Sequence, residues 1–154
     1  MLSQTTEYAL RATICLAYSR DGLVSTSELA ELTKVPMNYL AKVLQLLARS
    51  GIVTGRRGVG GGYKLTRPPE QISMLDVINA ISPIQRITSC PLDLKNHSGA
   101  LCPLHHKLDE SINMLIKQFT GVSMADLLGQ RGDSRPLCDE EMTARVELTL
   151  GGSN

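Results

Sequence analysis

Ser25-Thr-Ser-Glu-Leu-Ala-Glu-Leu-Thr-Lys-Val-Pro-Met-Asn-Tyr-Leu-Ala-Lys-Val-Leu-Gln-Leu-Leu-Ala-Arg-Ser-Gly51 is the stretch on which the fold turns. Ser25 and Glu28 have capping-box spacing and open a short helix through Leu29, Ala30 and Leu32. Thr33-Lys34-Val35 breaks it. Pro36 suits the first turn of a new helix, which keeps an unbroken helical pattern to Ser50 and is closed by Gly51. Within that helix Leu40, Val43, Leu44 and Leu47 repeat at i, i+3, i+4, i+7 and make a buried stripe. Asn38, Lys42, Gln45 and Arg49 make a second, polar stripe that contains no acid. Taken alone this is an ordinary solvated helix face. After a short helix and a tight turn it is the pattern of a helix-turn-helix, whose second helix enters the major groove.

On the N-terminal side, residues 3–20 read as a helix with Leu10, Ile14, Ala17 and Tyr18 on one side, ended by Asp21-Gly22. Cys15 falls among these apolar residues and reads as a packed thiol rather than a ligand. On the C-terminal side come Ile52-Val53, a basic glycine-rich stretch Thr54 to Gly62, and Tyr63-Lys64-Leu65. Two short β runs around a flexible tip make a hairpin. A phosphate-binding P-loop would need Lys-Ser/Thr and a following helix, whereas Tyr63 and a strand follow here. The hairpin is therefore read as a wing, with Arg56 and Arg57 reaching phosphates or a minor groove. Ser73 and Asp76 have capping-box spacing and open a helix to about Ile81. Residues 82–103 carry three prolines and no clear periodicity. From Leu104 to Thr120, Leu108, Ile112, Leu115 and Phe119 repeat at 4, 3, 4, the spacing of a coiled-coil seam. Because the first 80 residues are expected to hold a complete core, this helix is expected to self-associate rather than pack back. Met124 to Leu128 is expected to add a turn of helix, and the polar stretch after Gly129 to be a tail.

Composition agrees. The 154 residues fit one domain with an appendage, and with 42% hydrophobic but only 3% aromatic residues the core is built from aliphatic side chains, which suits a mostly helical fold. The net charge of +1 is a cancellation: residues 1–67 carry nine Lys/Arg and four Asp/Glu (+5), residues 68–154 seven and eleven (−4). No acid lies between Glu31 and Glu70, so a polyanion is the expected partner, nucleic acid before membrane. With no apolar run of about 18 residues and no signal-peptide pattern, a cytoplasmic protein without a membrane role is expected, and the four cysteines are expected as thiols or ligands rather than disulfides.

Cys90 to His106 gathers two cysteines and all three histidines of the chain, His97, His105 and His106, into seventeen positions. Thiolates and imidazoles suit zinc or an iron-sulfur cluster. The eleven residues between Cys90 and Cys102 are too many for a zinc knuckle, and only Cys102 and His105 are tightly spaced. Two thiols and three surface imidazoles in a loop is the plain alternative. With no nucleophile motif or phosphate loop, an enzyme is not expected.

Several motifs, in order, resemble the Rrf2 family of winged-helix regulators typified by the iron-sulfur regulator IscR and the nitric-oxide sensor NsrR. They are Thr26-Ser-Glu-Leu-Ala, Asn38-Tyr39-Leu40, Leu47-Ala-Arg-Ser-Gly51-Ile-Val, Arg57-Gly-Val-Gly-Gly-Gly-Tyr63, Leu65-Thr-Arg-Pro and Ile72-Ser-Met-Leu-Asp76-Val-Ile. The resemblance spans about residues 1–128. It implies a winged helix-turn-helix over 1–81, a sensor loop over 82–103, a long C-terminal dimerisation helix over 104–128 and a tail over 129–154. It further implies a homodimeric transcription factor, a repressor by expectation, on a palindromic site in double-stranded DNA, with a two-iron, two-sulfide (2Fe-2S) cluster in the loop. Ser27, Asn38, Tyr39, Lys42, Gln45, Arg49, Arg56, Arg57 and Gly58 are the expected DNA contacts. Cluster-binding members have three loop cysteines; Cys90 and Cys102 match the outer pair, but Asn96, with His97 beside it, stands in the middle position. His105 matches the histidine that completes the set in IscR-like proteins, and Glu7 matches the acidic residue, given by the partner subunit, that does so in NsrR-like ones. The candidate ligands are therefore Cys90, Cys102, His97, His105 and Glu7, with zinc, a thiol switch or no metal as alternatives. Cys138 is a weak candidate.

Overall fold

The structure, a computed structural model, describes residues 2–19, 22–91 and 101–129. Five helices and one antiparallel hairpin follow in the order α1 (Gln4–Tyr18), α2 (Thr26–Thr33), α3 (Met37–Arg49), β1 (Val53–Arg56), β2 (Gly62–Leu65), α4 (Met74–Ile81) and α5 (Pro103–Thr120). Single 3-10 turns lie at Pro69–Gln71 and Asp126–Leu128. This is the expected mostly helical winged fold.

Helix α1 starts where the Ser3 hydroxyl accepts the Thr6 amide, and it is buried on more than one side. Ala9, Ala12 and Ala17 are fully buried beside Ile14, Cys15 and Leu16. Small side chains let α2, α3, α4 and β2 all approach it, so the single-sided stripe read from the sequence understates its burial. Cys15 lies in this core, in agreement with a packed thiol. Helix α2 starts where the Ser25 hydroxyl accepts the Glu28 amide at 3.2 Å. Its end is set by Lys34, a non-glycine residue in the left-handed region (φ +54°), and by buried Val35. Pro36 is the N-cap of α3 rather than a residue of its first turn. Its carbonyl accepts the amides of Tyr39 and Leu40. The predicted stripe of Leu40, Val43, Leu44 and Leu47 is buried.

The hairpin pairs Val53 with Leu65, Thr54 with Lys64, Gly55 with Tyr63 and Arg56 with Gly62. The strands therefore extend further than the sequence suggests, and the tip shrinks to residues 57–61. Tyr63 exchanges two backbone hydrogen bonds with Val24, at 2.8 and 2.9 Å, which fastens the wing to the segment that leads into α2. Helix α4 has a complete capping box: the Ser73 hydroxyl accepts the Asp76 amide and the Asp76 carboxylate accepts the Ser73 amide.

The first 80 residues do not complete the core by themselves. After α5 the chain returns, the Met74 amide donates to the Val122 carbonyl and the Met124 amide to the Ile72 carbonyl, both at 2.8 Å, and Met124 is fully buried. The expected helical turn here is a 3-10 turn, Asp126–Leu128, whose Leu127 and Leu128 pack against the core. Helix α5 buries none of its residues. Of the predicted seam, Leu108 and Leu115 are 47% and 49% exposed, whereas Ile112 and Phe119 are half-buried and the helix touches α4.

Candidate nucleic-acid interface and sensor

The two stripes of α3 separate as predicted, because one 13-residue helix cannot bury both. Opposite its leucines, Asn38, Tyr39, Lys42, Gln45 and Arg49 are all exposed. The Lys42 ammonium sits 5.8 Å from the centre of the Tyr39 ring, a cation–π arrangement one helical turn long. The Asn38 side-chain carbonyl accepts the Tyr39 amide at 3.0 Å, which leaves its NH2 group for an outside acceptor. Met37 is 52% exposed and stands one residue ahead of the polar row, a placement that its apolar side chain does not signal in the sequence.

Between the start of α2, α3 and the wing runs a cleft of about 610 Å³ lined by Ser27, Met37, Arg56, Arg57, Gly58 and Tyr63 among others. Four more of the predicted contact residues thus lie beside the α3 row: Ser27, exposed with its hydroxyl 3.1 Å from that of Ser25, and Arg56, Arg57 and Gly58 on the wing. The cleft is open, of mixed polar and apolar lining, with Arg56 and Arg57 on one wall and Ser25, Thr26 and Ser27 of the α2 start at one end. Such a surface can hold a phosphate-lined groove wall while α3 meets base edges.

The candidate ligands are less closely gathered. Cys102 is the N-cap of α5, and its Sγ lies 3.3 Å from His105 Nδ1. The i, i+3 spacing around the first helical turn brings them together. Cys90 is half-buried at the other end of the loop. Glu7 is engaged within its own chain: its carboxylate accepts from Arg11 Nε at 2.6 Å, and the same guanidinium donates to the Thr33 carbonyl at 3.2 Å. His97, Asn96 and Cys138 lie outside the described residues. Among the described residues no three His, Cys, Asp or Glu side chains gather as a metal site. The Cys102–His105 pair fits two adjacent positions of a cluster or zinc site by donor type and closeness, whereas Glu7 fits only after leaving Arg11.

A contact that the sequence did not announce ties the loop to α5. Arg86 grips Asp109 through two hydrogen bonds, 2.6 and 2.5 Å, and reaches Asn113 at 3.0 Å, while the Ile87 amide donates to the same carboxylate at 2.9 Å. The hydrogen bond from Arg86 holds the Asp109 carboxyl below the usual carboxylate range, and the same bond raises the Arg86 guanidinium. The one available signal was the i, i+4 placement of Asp109 and Asn113 on α5.

Among the described residues no helix is long and apolar enough to cross a membrane. The family model of the Rrf2 iron-dependent transcriptional regulators matches residues 2–130. A protein of Aquifex aeolicus (strain VF5) whose name assigns it to the HTH-type transcriptional regulators is 32% identical over 131 residues, 83% of this chain and 91% of that one. In fold the chain is similar to CymR, the global cysteine regulator of B. subtilis (22% identity, TM-score 0.68, 82% of this chain and 95% of that one). It is equally similar to T. potens IscR (21% identity, TM-score 0.69, 86% and 93%). These relatives are regulators rather than enzymes, and regulators of this kind bind DNA. The chain belongs to the Rrf2 family of transcriptional regulators.

Proposed function

We propose that the protein is a homodimeric, cytoplasmic repressor that binds a palindromic promoter site and responds to redox state, nitric oxide or iron-sulfur supply through the loop between Cys90 and Cys102. The observation that carries the DNA part is the exposed acid-free row Asn38, Lys42, Gln45 and Arg49 beside the Ser27 and Arg57 cleft. In this reading Asn38 and Gln45 bond to base edges, Tyr39 and Lys42 meet bases or phosphates, and Arg49, Ser27, Gly58 and the wing arginines follow the backbone. The seam Leu108, Ile112, Leu115 and Phe119, whose two leucines are exposed, pairs two copies, setting their α3 helices about one DNA turn, 34–36 Å, apart.

The adjacent Cys102 and His105 support the sensor part. With Cys90, and with His97 or a Glu7 released from Arg11, they would hold a 2Fe-2S cluster. Mixed thiolate and imidazole ligation would give that cluster a potential above that of an all-cysteine one, and with it a redox-responsive centre. Whether held or released, Cys102 caps α5 and His105 lies in its first turn, so the state of the loop bears on the helix that spaces the recognition helices. Arg11 offers a second path, because the guanidinium that holds Glu7 also holds the carbonyl of Thr33 at the helix-turn-helix turn. A zinc or thiol switch is the second reading, favoured by the same Cys102–His105 contact. Purification without oxygen, a visible spectrum and iron and sulfide analysis separate them: a coloured, sulfide-containing protein is expected, and a colourless one after anaerobic reconstitution removes the cluster.

A further inference from the structure

Two adjacent arginines at the wing look interchangeable in sequence, and the structure gives them different surroundings. Arg56 ends β1 and is paired with Gly62. Its guanidinium folds back across the tip and donates to the Gly60 carbonyl at 3.0 Å. The five tip residues between the strands are closed by a second bond, from the Gly61 amide to the Gly58 carbonyl at 3.0 Å. Gly58 and Gly60 both have left-handed φ values, +95° and +69°, a conformation open to glycine at little cost. A Cβ on Gly61 would run into the carbonyl oxygens of Arg56 and Gly58. A loop this rich in glycine loses much conformational entropy when it is fixed, and the Arg56 side chain is what spans it. Outside the span lie Arg57 and Val59, the latter wholly exposed at the apex.

We propose that Arg56, although cationic and exposed, is a positioning residue of the wing that acts through the Gly60 carbonyl, and that it is not itself a phosphate ligand. Arg57 and Val59 are then the groups the brace presents to a groove. The proposal rests on the DNA-binding reading above and narrows it, since that reading gives both arginines the same task.

The test uses the full-length protein, Arg56→Gln, Arg56→Lys and Arg57→Gln, with two readouts. The first is the salt dependence of binding to a fluorescent duplex from the protein's own promoter region and to a random-sequence duplex, starting at low salt. Each phosphate contact contributes about 0.9 to the slope of log K against log salt. Arg57→Gln is expected to lower the slope by about that amount, and Arg56→Gln to leave it unchanged while reducing the preference for the promoter duplex. The second readout is amide exchange at Gly61, which needs no DNA. Arg56→Gln is expected to speed it by about fivefold, the factor that goes with one ordinary hydrogen bond. Arg56→Lys, which keeps a donor on a long stem, is expected to restore most of the protection, and Arg57→Gln to leave it unaltered. A slope lowered by Arg56→Gln as much as by Arg57→Gln overturns the proposal, as does Gly61 exchange indifferent to Arg56→Gln. If the unmodified protein fails to bind either duplex at low salt, the DNA reading falls, and the exchange experiment still decides the brace.

Discussion

Arg86 and Asp109, 23 residues apart, face each other in a two-point guanidinium–carboxylate grip that fixes the approach to the Cys90 loop against the second turn of α5. Asp109 also accepts the Ile87 amide, so one carboxylate orders both side chain and backbone of the incoming segment. Bidentate geometry of this kind carries more orientation than a single ion pair.

The grip should depend on acid in a defined direction. Arg86 first, and then the Ile87 amide and the nearby His106 charge, hold Asp109 below the usual carboxylate range. A lowered carboxyl contributes its stabilisation fully above the ordinary aspartate value of about 3.9 and loses it as pH falls through its own lower value. A carbon-detected NMR titration should therefore place the Asp109 midpoint below that value, and Arg86→Ala should move it upward. An unmoved midpoint would remove Arg86 as its cause.

On α3, neighbouring substitutions should separate cleanly. Leu44→Ala removes a fully buried side chain and is expected to cost about 2–5 kcal/mol of stability in urea unfolding. Lys42→Ala should leave unfolding within about 0.5 kcal/mol and lower the salt slope of DNA binding by about 0.9. Gln45→Ala should reduce discrimination at one base position by about 1–3 kcal/mol with the slope unchanged. A Lys42→Ala protein that binds every duplex as the parent does would take that residue off the interface.

Leu108 and Leu115 are half-exposed on a helix with no buried residue. If these leucines pair two copies as proposed, the protein is dimeric in light scattering and Leu108→Asp with Leu115→Asp makes it monomeric, with little change in the circular dichroism of the domain and loss of tight binding to a two-half-site duplex. A doubly substituted protein that is still dimeric would place the interface elsewhere.

Met124 is expected to behave as a core residue, although it follows the exposed α5. It is fully buried and tied to Ile72 by a backbone bond at 2.8 Å. Met124→Ala should cost about 2–5 kcal/mol in urea unfolding, whereas alanine at exposed Met114 should cost less than about 0.5 kcal/mol.

Local rules explain what could be read in advance. The caps at Ser25 and Ser73, the stripe Leu40 to Leu47, the glycine after α3 and the exposed polar row are each decided within one or two helical turns, so spacing alone reveals them. Met124, the Arg11 link to Thr33 and the Arg86 grip join residues from 22 to more than 50 positions apart. No periodicity encodes such pairings, because they depend on how α1, α4 and α5 come together. The split roles of Arg56 and Arg57 were equally hidden, since a turn's carbonyl directions are set by the glycines around it. The ligand set divides in the same manner: Cys102 and His105 meet because they share a helical turn, while Glu7 was placed by resemblance and is found on Arg11.

If the Cys90–Cys102 loop governs α3, the state of the loop sets the affinity of the protein for its promoter. Protein prepared without oxygen, and the same protein after iron chelation, are titrated onto one promoter duplex at fixed salt. Affinity is expected to change by at least about tenfold, the factor of a coupling near 1.4 kcal/mol, and Cys102→Ala to abolish the difference. Equal affinities for the two preparations, with iron and sulfide shown to be present in the first, would uncouple the loop from DNA binding.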